Sequence, residues 1–199
     1  MFAFQTAEEP ECCRLLHSLM DLSNLPPGIA NQLVGMVEDY ILKSQKRYAA
    51  RAVPLTPEQQ SAMQPFFPAD VLEQVRLLPL NGERVQDPSF YTMARMMGFK
   101  NLPSFSDVAA VTFVDVIVSH EPFTNDLLFH ELVHAVQYAQ IGTKEFSDRY
   151  VHGFLSGGGY AGIPLEKNAY ELEARYSANP ALLFSVAEEV KGWIQAGKL

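Results

Sequence analysis

The chain has 199 residues, 48% of them hydrophobic, and its 15 Lys+Arg against 23 Asp+Glu give a formal net charge of −8. That length and apolar content suffice for one domain with a sizeable core, while the acidic balance argues against a phosphate-neutralising surface of the kind nucleic-acid binding needs. The N-terminus carries Glu8, Glu9 and Glu11 and no basic stretch ahead of an apolar run, which argues against a secretory or transit peptide and leaves a cytoplasmic protein as the expectation.

In chain order, Glu9 to Met20 reads as a short helix, broken by Leu25-Pro26-Pro27-Gly28. Within it Cys12 and Cys13 are adjacent, about 3.8 Å apart at Cα, too close for ordinary disulfide geometry, and are read as free thiols. Ile29, Leu33, Val37, Tyr40 and Ile41 then recur at helical spacing, predicting an amphipathic helix from Gly28 to about Ala50 whose Lys43, Lys46, Arg47 and Arg51 suit a C-terminal end. Thr56-Pro57-Glu58-Gln59 is a capping box with Pro at the first helical position. Pro65 and Pro68 bracket a turn before Ala69 to Gln74. Val75 to Leu80 reads as a strand with Pro79 at an edge or an end, followed by an Asn81-Gly82 turn.

Pro88 to Met97 reads as a helix stopped by Gly98. Val108 to Val118, rich in β-branched residues, is expected to be the best strand of the chain. It is interrupted by Thr112 and Asp115 and far shorter than the roughly 20 residues of a membrane-spanning helix, so no span is predicted. Lying just upstream of the next helix, this strand could offer its edge to an extended peptide. Thr124 as N-cap, Asp126 in the first turn and Gly142 as the stop delimit a helix over Asn125–Gly142. Thr143 to Ser156 reads as a further helix, ended by a flexible Gly157-Gly158-Gly159 loop. Pro164 opens a carboxylate-rich helix, and Asn179-Pro180 is expected to cap a last one running to about Ala196.

The Asn125–Gly142 helix contains His130-Glu131-Leu132-Val133-His134, an H-E-x-x-H sequence. Histidines at i and i+4 lie on one helix face, as two imidazoles must to share one tetrahedral Zn²⁺, with Glu131 placed for a water. A catalytic zinc wants a third protein ligand and an open position. No histidine follows between Ala135 and Phe146, which excludes the three-histidine metzincin pattern. A glutamate from the helix after Pro164 is the remaining solution. Glu166 shares a face with Ala169, Tyr170 and Glu173, whereas Glu171 points away from it; Glu166, Glu171 and Glu173 are the three candidates.

HELVHAVQ followed by GGGYAGIPLEKNAYELEARY resembles the gluzincin clan, in particular small bacterial metallopeptidase-type domains of uncharacterised function. The resemblance covers about Val108 to Asn179. It implies an α+β fold with a minimal zincin-like core, a small sheet beside the H-E-x-x-H helix and a glutamate-bearing helix; the core is expected to span 71–199, and the helices read upstream to form a helical N-terminal region over 1–70 packed on it. It also implies metal ligands at His130, His134 and Glu166, a general base at Glu131, and one Zn²⁺. Where that family frequently has an acidic residue four positions after the third ligand, this chain has Tyr170, leaving open which group orients the histidines.

The expected activity is hydrolysis of peptide bonds in a peptide or protein substrate. Zinc lowers the pKa of a water toward about 7, and Glu131 takes its proton as a polarised carbonyl is attacked. Tyr150, His152, Tyr160 and Tyr170 lie near enough in sequence to donate to the oxyanion, and Tyr160, just before the ligand helix, is preferred. His17 and His120 are given no role. A zinc-binding scaffold without turnover is the alternative.

Overall fold

The structure, a computed structural model, describes residues 28–99, 101–157 and 159–199. The expected helix at Glu9 to Met20 and the Cys12-Cys13 pair lie outside them. The fold is α+β: seven α-helices among the described residues surround a four-stranded mixed sheet of order β1-β2-β4-β3.

Helix α1 (Ile29–Ala49) starts after Gly28, whose φ of 86° suits glycine, and ends with Lys46 and Arg47 in its last turn. Strand β1 is Val53–Pro54. Helix α2 (Pro57–Met63) has the full capping box, Thr56 and Gln59 exchanging side-chain and backbone bonds. Helix α3 (Ala69–Gln74) leads into β2 (Arg76–Pro79). Pro79 closes the strand rather than marking an edge, because β2 is an inner strand, antiparallel to β1 and parallel to β4. Asn81 and Gly82 both adopt positive φ, 49° and 98°, as a tight Asn-Gly turn requires.

Helix α4 (Tyr91–Met96) is shorter than expected and ends before Gly98, at φ 96°. The strand expected over Val108 to Val118 is instead a hairpin, β3 (Ala110–Phe113) and β4 (Val116–Ser119), joined by Val114-Asp115. No Asn-Gly signal marks this turn, and Val114 sits at φ 63°, rare for a β-branched residue. Tertiary bonds hold it: Gln45 Nε2 donates to Asp115 Oδ1 over 2.7 Å, and the Arg76 amide donates to the Asp115 carbonyl over 2.8 Å.

Helix α5 (Asn125–Ser156) begins at Thr124, whose hydroxyl accepts from the Leu127 amide. At Gly142, φ 74° and ψ 166° break the helix into two halves, a conformation open essentially to glycine alone. The two expected helices therefore exist, meeting at the expected stop. Every residue from Leu128 to Tyr138 is buried. The first half of α5 is thus enclosed on all sides, where periodicity suggested only one apolar face.

Helix α6 (Pro164–Ala178) has Pro at its start. Helix α7 (Val186–Gln195) is capped by Ser185, not by Asn179; the Asn179 side chain instead accepts from the Ala181 amide and its carbonyl from the Leu182 amide, closing a separate turn. The main core joins the sheet to α5, α6 and α7 through residues such as Phe113, Ile117, Phe129, Leu132, Leu165 and Val190. A second, smaller cluster of Leu33, Val34, Ala94, Phe99 and Val151 ties α1 and α4 to the second half of α5.

Candidate metal centre

Because the first half of α5 is enclosed, its polar side chains must find partners inside the protein or remain as costly desolvated groups. His130, Glu131, His134 and Gln137 are all buried. They lie one turn apart on α5 and face two neighbours, β3 and α6.

The Nε2 atoms of His130 and His134 are 3.2 Å apart. Glu166 Oε2, arriving from the first turn of α6, is 3.7 Å from the former and 3.5 Å from the latter. These three atoms form a triangle close to one face of a tetrahedron, whose edge is about 3.3 Å for metal bonds of about 2.0–2.1 Å. Glu166 Oε2 is buried with no hydrogen-bond partner among the described residues, an orphaned anionic oxygen that a cation in this triangle would satisfy. The buried group His130, His134 and Glu166 could hold a metal ion. Of the alternatives, Glu171 is exposed and Glu173 does something else.

Glu173 Oε2 lies 2.9 Å from His130 Nδ1. On His134, Nδ1 lies 2.9 Å from Gln137 Oε1, while Gln137 Nε2 donates to the Leu165 carbonyl and to Asn168 Oδ1 of α6. Both Nδ1 atoms thus act as donors to side-chain oxygens, which leaves both Nε2 lone pairs free for a metal. A carboxylate one turn beyond Tyr170 therefore supplies the orienting contact that Tyr170 cannot. The ring of Tyr170 lies 4.5 Å from that of His130, half-exposed at the rim.

Thr112, at the middle of β3, donates to Glu131 Oε2 over 2.7 Å and also lies 3.1 Å from the Glu131 carbonyl. Burial pushes the Glu131 carboxyl up, against the pull of the two histidines. Burial also favours a neutral His130, but Glu166 and Glu173 overcome it and raise its pKa to about 10. Glu166 is driven up by burial and more strongly down by His134 and His130, which hold it well below the usual carboxylate range. The cluster is therefore a buried network in which the carboxylates favour protonated imidazoles.

Strand β3 is one of the two edge strands of the sheet. The His120 amide donates to the Ala109 carbonyl, and with Val111 opposite Val118 the alternation of an antiparallel ladder turns the main-chain groups of Ala110 and Thr112 away from β4. Both residues line a cavity shared with His130, Glu131, His134, Glu166 and Tyr160.

Tyr160 is brought to the site: burial and the Glu166 carboxylate push its phenol far above its ordinary value. It lies in a short 3-10 turn, Tyr160–Gly162. The segment before it is not an open flexible loop at both ends. A Cβ on Gly157 would meet Gly162 Cα at 2.5 Å, and one on Gly153 would meet Pro164 Cδ at 2.5 Å, so glycine here permits backbone to lie against backbone and sets where α6 starts. Tyr150 also lines the cavity. His152 does not reach the site; it is paired with Asp148 on the surface. His120 accepts from the Val85 amide at Nε2 and contacts the Val108 carbonyl through Nδ1, a structural tie between two loops.

Thr112, Gln137 and the orienting role of Glu173 were not identified from sequence. Gln137 lay inside the H-E-x-x-H-x-x-Q stretch, three residues after His134, and a polar residue on a helix face otherwise read as core was its available signal. Comparison with protein-family models, curated proteins and solved structures finds no match to this chain. No helix among the described residues is long and apolar enough to cross a membrane.

Proposed function

We propose that this chain is a zinc-dependent metallopeptidase with a zincin-like, gluzincin-type core. The observation that carries the reading is the convergence of His130 Nε2, His134 Nε2 and Glu166 Oε2 beside the buried Glu131 carboxylate. Two imidazoles and one carboxylate are the donor set of an open catalytic zinc site. Donor separations of 3.2, 3.5 and 3.7 Å would allow the three atoms to hold one metal ion between them.

Bound Zn²⁺ supplies a Lewis-acid charge that lowers the pKa of a water toward about 7. Glu131, held at one oxygen by Thr112, takes a proton from that water and returns it to the leaving amine. Its upward-shifted carboxyl suits a group that must hold the proton between those events. Ala110 and Thr112 present main-chain donors and acceptors to an extended peptide, aligning a scissile carbonyl with the site. Tyr160, kept protonated by its surroundings, donates to the oxyanion.

The test is metal content together with cleavage of a broad peptide library. One zinc per chain, lost in His130→Ala, and hydrolysis lost in Glu131→Gln with zinc retained is the expected result. Undiminished hydrolysis by Glu131→Gln would overturn the mechanism. Stoichiometric zinc with no cleavage of any peptide would instead identify a zinc-binding scaffold of zincin-like fold.

A further inference from the structure

The cavity beside the metal-ligand triangle extends away from it between α1, α4 and the second half of α5. Its far wall is built by Leu33 and Val37 of α1, Ala94 of α4, Leu102 of the following loop, and Val151 and Phe154 of α5. Much of that wall is the smaller hydrophobic cluster, separate from the main core. Most of it comes from residues before Val108, outside the stretch that resembles other metallopeptidases.

Two properties of the cavity restrict what can enter. The first is charge: among the described residues, and apart from His130, Glu131, His134 and Glu166 at the site itself, the lining contains no Asp, Glu, Lys, Arg or His, and its other polar groups are tyrosines and Thr112. A charged substituent placed there would lose its hydration and find no counter-ion. The second is size: the volume is about 120 Å³, similar to the ~150 Å³ apolar cavity known to accept benzene. That volume is the whole cavity's, the space beside the metal ligands included, and is on the scale of one ring or one branched aliphatic group.

We infer that this cavity is the specificity subsite of the proposed peptidase, and that its substrates carry an uncharged single-ring aromatic or branched aliphatic side chain next to the scissile bond. The N-terminal helix α1 is then part of the substrate-binding wall as well as a packing element. The inference rests on the metallopeptidase reading for the word substrate, but the apolar selectivity of the cavity stands or falls by itself.

The experiment has two arms. In the first, zinc-loaded protein is given peptides varied at the residues flanking the cleaved bond. Phe, Leu or Ile is expected to exceed Ala by roughly 100-fold in kcat/KM, in line with burial of several methylenes, with Asp and Lys not accepted. Val37→Phe, which narrows the cavity, is expected to move the preference toward Ala and Val; Leu102→Ala, at a partly buried position with less risk to folding, is expected to admit Trp. In the second arm, toluene is titrated into the protein without added metal and the side-chain methyl resonances are followed. Shifts at Leu33, Val37 and Val151, abolished in Val37→Phe, are expected. Cleavage that prefers charged or small residues overturns the inference while leaving the peptidase reading intact, and so does absence of toluene-induced shifts at the wall. Toluene binding at the wall with no peptide cleaved supports the apolar subsite and overturns the peptidase reading alone.

Discussion

Glu173 Oε2 sits 2.9 Å from His130 Nδ1, on the side of the ring opposite the nitrogen that faces His134. Two residues on different helices, 43 positions apart, thus decide which nitrogen of His130 is available to a cation. Removing such an orienting carboxylate typically costs 10- to 100-fold in metal affinity. Glu173→Ala is expected to weaken zinc binding by about that factor, measured by competition with a chromophoric chelator. Glu173→Gln, whose carbonyl can still accept from Nδ1–H, is expected to restore most of it, a rescue that a purely packing role would not produce. Glu166→Gln, changing a ligand itself, is expected to cost more than either.

Gln137 does the corresponding work for His134 while tying α5 to α6. It is fully buried, and three bonds depend on it. Gln137→Leu keeps much of the volume but strands a ring N–H and the Asn168 side-chain oxygen, and removes the second bond to the Leu165 carbonyl. Each buried orphan costs about 1–3 kcal/mol. Thermal unfolding of the metal-free protein is expected to show a lower Tm, and a neutral outcome would mean that water replaces all three bonds.

The bond from Thr112 Oγ1 to Glu131 Oε2, at 2.7 Å, links the sheet edge to the proposed base. In Thr112→Val the carboxylate is free to rotate away. The expected effect is a fall in kcat of roughly 10- to 100-fold, as for small misplacements of catalytic groups, with little change in zinc content. Loss of zinc instead would show that Thr112 supports the fold of the site and not the aim of Glu131.

On the proposed reading, protons and zinc compete for the same cluster. Without metal, His130 keeps its proton until about pH 10, and Glu166 is held ionised below its ordinary range. Zinc must displace the proton on His130, so its apparent affinity is expected to rise with pH through neutrality, with proton release measurable by calorimetry in buffers of different ionisation enthalpy. For stability without metal, the signs are opposite for the two groups. The contribution of His130, whose pKa is raised, is complete below its ordinary 6.5 and is lost as pH climbs through about 10. That of Glu166, whose pKa is lowered, is complete above 4.5 and is lost on acidification. Chemical denaturation of the metal-free His130→Gln protein is expected to lose the alkaline component.

Gly157 and Gly162 touch backbone to backbone at the entrance to α6. Gly162→Ala has no space for its methyl group and must push α6, with Glu166, away from α5. Overpacking of this kind costs about 1–3 kcal/mol. Reduced Tm together with weakened zinc binding is the expected pair of outcomes. A stability loss that leaves zinc affinity unchanged would mean that the strain relaxes toward solvent and not toward the ligand.

The start of α5 and the break within it were legible because both are local chemistry: Thr124 and Gly142 act within one turn of themselves. The same holds for the capping box at Thr56 and Gln59. His130 and His134 share a face by helix geometry alone, and Glu166 was singled out over Glu171 by the same periodicity. What sequence did not show is what depends on elements crossing. The Val114-Asp115 turn lacks glycine and asparagine and is held by Gln45 and Arg76, residues distant in the chain, so two strands looked like one. Asn179-Pro180 carries a helix-start signal, yet its carbonyl and side chain close a local turn and the helix waits for Ser185. Glu173 and Gln137 acquire their roles only once α6 lies across α5, and the cavity wall exists only when α1, α4 and the second half of α5 converge.

Gly142 stands between the two halves of that long helix, in a backbone conformation closed to other residues. One arm carries His130, Glu131 and His134; the other carries Tyr150, Val151 and Phe154, which line the cavity. The angle at this single residue therefore sets the distance between the ligand triangle and the far wall of the cavity, and with it the selectivity proposed above. A change at Gly142 would retune selectivity without altering a ligand, a base or any side chain that meets the substrate.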